Sequence, residues 1–177
     1  MTSPRTTRPI ALSALALSVA LLSGCVSTPG PTPSPTAAFA SEEEAFAAAE
    51  ETYRAYNEAV NAERSGVSGS NPNRYLTGEM LETEVEAKQE LDEAGIHLAG
   101  PTKVVAFEGV ESDYSRPVST IEAHVCLDIT EARAIDASGE DVTAPERSDI
   151  YVVKVTFTGT SNMLLISDYQ VAEGSEC

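Results

Sequence analysis

The feature that most constrains this chain is a change of period at Pro101. Before it, apolar residues recur every three or four positions; after it, they alternate with polar ones. A chain that places helices first and a run of strands second has one economical solution. The helices cover one face of an antiparallel sheet, an α+β layout with N-terminal helices on a curved sheet.

The first helix is the clearest element. Ser41 followed three positions later by Glu44 makes a capping box, and the acids at 42–44 suit the positive end of a helix dipole. Phe46, Ala49, Tyr53, Tyr56 and Val60 then trace one apolar stripe, while Glu43, Glu50, Arg54 and Glu58 fall on wet faces. The Gly-, Ser- and Asn-rich stretch at 65–72 ends it. A second helix follows, with Thr77 as cap, a thinner stripe of Met80, Ala87, Leu91 and Ala94, and Gly95 as its stop.

Beyond Pro101 the reading is of strands at 103–110, 118–134, 149–158 and 163–171. The second is the longest. Ser119, Ile121, Ala123, Val125, Leu127 and Ile129 share one face; Thr120, Glu122, His124, Cys126, Asp128 and Thr130 share the other. Asp136, Ser138, Gly139 and Asp141 carry turn chemistry, and Gly159-Thr160-Ser161-Asn162 reads as a short hairpin. The core is expected where the helix-one stripe meets Ile121, Val125, Tyr151 and Val155.

The N-terminus is of a different kind. Arg5 and Arg8 precede an apolar, Ala- and Leu-rich run at 10–22 with no acid nearby. Such a run is about half the length a membrane-spanning helix needs, so residues 1–24 read as a signal peptide. Its end, Leu22-Ser23-Gly24-Cys25, resembles the lipobox of bacterial lipoproteins. That resemblance implies that the Cys25 thiol takes a diacylglycerol and becomes the first mature residue. It places the protein on the outer face of the cell membrane, and two acyl chains suffice for stable anchoring. Pro29, Pro31, Pro33 and Pro35 then impose an extended spacer, so residues 25–40 read as a lipidated Cys and stalk. The single α+β domain follows at 41–177, its globular part beginning near Ala38.

Charge bears on partners. The chain has 11 basic and 28 acidic residues, a formal charge of −17, and loss of the leader makes it about −19. Such a domain is repelled by nucleic acid and by anionic lipid, so contact with the membrane is expected through the anchor only. The acids read foremost as a solvated exterior, with basic peptides or cations as the alternative.

Of three cysteines, Cys25 is the lipidation candidate, which leaves Cys126 and Cys177 free to pair in an oxidising compartment. A bridge would pin the C-terminal tail to the sheet; the alternative is a buried free Cys126 and a loose Cys177. Two Cys and two distant His give no metal-ligand spacing, and no cofactor motif is present.

The layout resembles the nuclear transport factor two-like cone shared with ketosteroid-isomerase-type proteins. The resemblance is carried by the Tyr53/Tyr56 helix, the helix after it, and the strand at 118–134 with those at 149–158 and 163–171. It implies an open-ended pocket under the sheet that binds small ligands or bears catalysis. With its lipobox, its Pro/Thr/Ser stalk and its Ala-rich helix, the chain also resembles small lipoproteins of high-GC Gram-positive bacteria. Tyr53 and Tyr56 are the candidate pocket residues, set against an ordinary core role. Glu122, His124 and Asp128 form a polar strip that reads as the solvent side of a half-buried strand. No catalytic set is assigned. The expectation is a non-enzymatic binding or accessory domain that holds a small ligand or an envelope protein. The alternative is a cone-fold enzyme using Asp128 or His124 as base and Tyr53 or Tyr56 as donor.

Overall fold

A computed structural model describes residues 36–172 and Cys177. The expected signal peptide at 1–24, Cys25 and most of the expected stalk lie outside the described residues. The described chain opens on the core: Ala38 and Phe39 are buried, and their amides donate to the carbonyls of Arg116 (2.7 Å) and Tyr114 (3.3 Å).

Helix α1 spans Glu42–Arg64. Ser41 Oγ accepts the Glu44 amide at 3.2 Å, and the Glu44 carboxylate reaches back to the amide of Ala40 at 2.9 Å. The capping box therefore forms, displaced by one residue on its return arm. The stripe is rotated from its expected position. Ala45, Ala49, Tyr53 and Asn57, each four apart, are the buried residues, while Phe46 and Tyr56 are only partly buried. Two alanines in the seam let the helix lie close to the sheet.

After a 3-10 turn at Pro72–Tyr75, helix α2 spans Gly78–Glu93. Thr77 holds the N-cap position, but its side chain makes no capping bond. No residue of α2 is fully buried; Met80 and Leu81 pack against the core from its first turn. Gly95, at φ +68°, turns the chain out of the helix as expected.

Six strands follow: β1 His97–Ala99, β2 Lys103–Ser112, β3 Ser119–Asp128, β4 Arg133–Ile135, β5 Ile150–Thr160 and β6 Met163–Val171. Four form an antiparallel sheet in the order β2-β3-β5-β6, and β1 pairs with β4 in a separate ribbon. The architecture is two helices packed on an antiparallel sheet, as the period change implies. The expected single strand at 118–134 is broken. The Asp128 carboxylate accepts the Thr130 amide at 2.9 Å, and Ala132 N–H donates to Ile129 at 3.0 Å. This turn hands residues 133–135 to β1, a three-residue strand too short to show a period.

Alternation along β3 holds. Ser119, Ile121, Ala123, Val125 and Leu127 are buried and face α1, together with Val153, Val155 and Phe157 of β5. Tyr151 is only half-buried, at the sheet's end, so it is not the core residue expected. On the outer face, the Glu122 carboxylate pairs with Lys154 at 2.9 Å, and His124 lies opposite Glu108 and Lys154.

Register shifts reset the pattern elsewhere. In β2 the pairing skips Val105 and Val110, which are exposed, so Val104, Phe107 and Gly109 turn inward opposite Leu127, Val125 and Ala123. In β6 it skips Ser167, so Ile166 and Tyr169, three apart, lie opposite Phe157 and Val155 on the inner side. Each bulge inserts one residue, inverts the parity beyond it and bends the strand. The β2 edge also accommodates α1 at one point: a Cβ on Gly109 would fall on the ring of Phe46.

Candidate functional site

Between the inner face of the sheet and the two helices lies a cavity of about 680 Å³. Its apolar walls are Val60 of α1, Met80, Ala87 and Leu91 of α2, Ile96 and Leu98 at β1, and Leu127 and Ile129 at the end of β3. Helix α2 forms the roof, and its lack of a fully buried residue follows from having space beneath it rather than core.

The floor is a polar clasp. Asn57 and Asn61 of α1 both donate to the carbonyl of Thr102, at 3.0 and 2.8 Å, and Asn61 Oδ1 accepts the Thr102 amide at 2.9 Å. The Thr102 hydroxyl donates to Asn57 Oδ1. Asn57 and Thr102 are both buried, so this network satisfies the backbone just ahead of β2 without water. It also fixes the last two turns of α1 over the cavity.

Three tyrosines, an arginine and a glutamate lie within electrostatic reach of one another on one side of the cavity, whose lining also includes Thr83, Asp92 and His97. Tyr53 and Tyr56 both line it, as does Tyr169, which the Ser167 bulge turns inward. The two α1 rings meet edge to face, with centroids 5.9 Å apart. None of the three hydroxyls has a hydrogen-bond partner among the described residues. Burial raises all three phenol pKa values, and Tyr169 is pushed up to about 12. They therefore remain protonated donors.

Arg64, in the last turn of α1, faces the same side. Its Nη1 is buried without a hydrogen-bond partner. Burial lowers its pKa from the usual guanidinium range, and Tyr56 and Glu84 are the neighbours that oppose this most. Glu84 of α2 is half-buried; burial raises its pKa, with Arg64 the chief influence the other way. Among the described residues, no carboxylate lies within ion-pair distance of Arg64. Glu63 is taken instead by Lys88, a pair that joins α1 to α2 beside the cavity.

The polar strip of β3 takes no part. His124 and Asp128 do not line the cavity. His124 sits on the opposite face of the sheet, and Asp128 caps the turn after β3, which lowers its pKa through the Thr130 hydrogen bonds. An acid–base pairing of these two residues with Tyr53 or Tyr56 therefore has no geometric basis. Cys126 and Cys177 stand at disulfide distance, with Cα atoms 5.7 Å apart. The bridge lies on the outer face, over Cys126 and Val152, which are buried there. Among the described residues, no group of three or more His, Cys, Asp or Glu could hold a metal ion, and no helix is long and apolar enough to cross a membrane.

Arg64, Glu84 and Tyr169 escape a reading of the sequence for physical reasons. Arg64 looks like a cation placed to suit a helix C-terminus. Glu84 is one acid among many on a polar helix. Tyr169 falls on the outer face under strict alternation, and only the bulge reverses it.

No family model and no curated protein matches the chain. Among solved structures, the intermembrane space region of the chloroplast protein ARC6 is similar over 71% of this chain and 95% of its own, at 14% identity and a TM-score of 0.45. Likeness of that degree defines neither fold family nor function.

Proposed function

We propose that the chain is an extracytoplasmic lipoprotein, tethered through Cys25, whose domain binds a small apolar molecule beneath α2. The cavity carries the reading. Its volume of about 680 Å³ falls within the range of about 300–1,000 Å³ typical of ligand pockets. Its surface is mostly apolar, and the polar groups set into it can orient a small guest. The bulged strands, the inward Tyr169 and the helices over the sheet support a nuclear transport factor two-like cone, and the lipobox, stalk and Ala-rich helix support a small lipoprotein of high-GC Gram-positive type. The tether reading rests on the Leu22-to-Cys25 sequence and the proline stalk.

Titration with Nile red, a neutral apolar dye, tests the binding claim. The wild-type domain should bind it and shift its emission to the blue. Val60→Trp, which fills the cavity from α1, should weaken binding at least tenfold while far-ultraviolet circular dichroism stays native. Dye binding indifferent to Val60→Trp would place the dye elsewhere and defeat the reading. For the tether, Cys25→Ala should abolish incorporation of labelled lipid and release the protein from membranes; persistent labelling would refute it.

One observation favours the enzymatic alternative in a new form. Glu84, with its raised pKa, shares the cavity with partnerless tyrosine hydroxyls, a pairing suited to proton transfer on a small organic substrate. Turnover of a substrate, lost in Glu84→Gln, would establish it.

A further inference from the structure

The chemistry of the guest can be taken further, on the footing that the cavity binds a small apolar molecule. A buried guanidinium N–H without an acceptor is costly, because the water it gave up is not replaced. Among the described residues only two buried side-chain polar atoms lack a partner: Ser119 Oγ and Arg64 Nη1. Ser119 is fully buried in β3 opposite Gly159 and does not line this cavity, and a single hydroxyl there is a small defect. Arg64 is different in kind. Nη1 itself is closed off, but the guanidinium lines the cavity and has no ion-pair partner among the described residues, so a guest there meets an unpaired cation.

The neighbourhood says what the acceptor is. Tyr56 and Tyr169 feel the charge of Arg64 and present protonated hydroxyls with no partner among the described residues. Three groups on one side can thus donate, and an arginine fork matches the two oxygens of a carboxylate. Away from Arg64, Val60, Leu91, Ile96 and Leu127 offer apolar surface, beside Asp92 and His97, which also line the cavity. Glu84 and Glu63 are the groups near Arg64 that would oppose an anion, and Glu63 is paired with Lys88. The raised pKa of Glu84 reduces its opposition, since it keeps its proton to a higher pH than a free carboxyl does.

We infer that the Arg64 guanidinium receives the carboxylate of an amphipathic organic acid whose apolar body lies among Val60, Leu91, Ile96 and Leu127. Displacement of Nile red by dodecanoate, dodecanol and dodecylamine tests this on the wild-type domain and on Arg64→Met. Dodecanoate should bind the wild type roughly 10- to 100-fold more tightly than dodecanol, the span expected of hydrogen bonds to a charged group. In Arg64→Met that preference should vanish, chiefly through loss of dodecanoate affinity. Arg64→Lys should keep part of it, having charge without the fork. Equal binding of acid and alcohol by the wild type overturns the inference, and that comparison needs no variant. An acid preference that survives in Arg64→Met overturns it too, as does dodecylamine binding tightest, which would make Glu84 the anchor. If neither dye nor alcohol binds, the cavity reading itself fails. If both bind with no preference for the acid, only the role of Arg64 falls.

Discussion

Breaking the Cys126–Cys177 pair offers a test with a magnitude that can be worked out. The two residues are 51 positions apart, and the loop they close contains β5 and β6. In the chain-entropy account, opening a loop of this length frees the unfolded chain by about 4 kcal/mol at room temperature. Cys126 and Val152 are buried on the outer face, and the Ala172 amide donates to Val152 at 2.9 Å. Cys177→Ser should therefore lower stability by about 4 kcal/mol. With a urea m-value of about 2 kcal/mol/M, the unfolding midpoint should fall by about 2 M. The oxidised wild type, the reduced wild type and Cys177→Ser are compared by urea titration, with thiols counted by mass spectrometry. The reduced protein should coincide with the variant, and reduction should add the mass of two hydrogens. An oxidised wild type no more stable than Cys177→Ser would show that the tail constrains nothing, and the loop argument would fall.

Three further outcomes follow from the packing and the charges. Asn57→Ala removes the acceptor of the Thr102 hydroxyl and one donor to the Thr102 carbonyl. It should cost about 1–3 kcal/mol in urea unfolding, whereas an unchanged midpoint would mean that Asn61 alone satisfies Thr102. Gly109→Ala drives a methyl group into the Phe46 ring. It should cost about 1–3 kcal/mol, and Gly109→Ala combined with Phe46→Leu should recover part of that loss; simple addition of the two effects would contradict the contact. Glu84 has a raised folded pKa, so the native state holds its proton more tightly than the unfolded chain does. Its contribution to stability is therefore fullest below the ordinary carboxyl range and is lost as pH rises through the raised value. Glu84→Gln should flatten that part of the pH–stability curve and stabilise the protein at neutral pH; identical curves for the two proteins would contradict the burial of Glu84.

How far the fold could be read from the chain depended on how local its causes are. The Ser41–Glu44 cap, the stop at Gly95 and the alternation of β3 are local, and each appears where its residues imply. The tail's reach to Cys126 was also legible, because a cysteine on the polar face of a half-buried strand needs a cover. What was not legible is long-range. The buried seam of α1 includes Asn57, a polar residue tolerated only because Thr102 comes to it from 45 positions away. The break after Asp128 serves β1, whose three residues carry no period. Tyr169 looks inward because of one extra residue in β6. Tyr53 and Tyr56 could be named as pocket candidates from their stripe alone. The group that gives the site its chemistry, Arg64, is distinguished by the acceptor it lacks, and a sequence does not display missing partners.

Anomalous diffraction from crystals grown with 12-bromododecanoate puts the cavity to the most direct test. A bromine peak should appear among Val60, Leu91, Ile96 and Leu127, with the carboxylate on Arg64 and α2 still arched above it. A closed chamber, with the side chains of α2 seated on Leu127 and Ile129 and no bromine signal between them, would contradict a binding role for this domain.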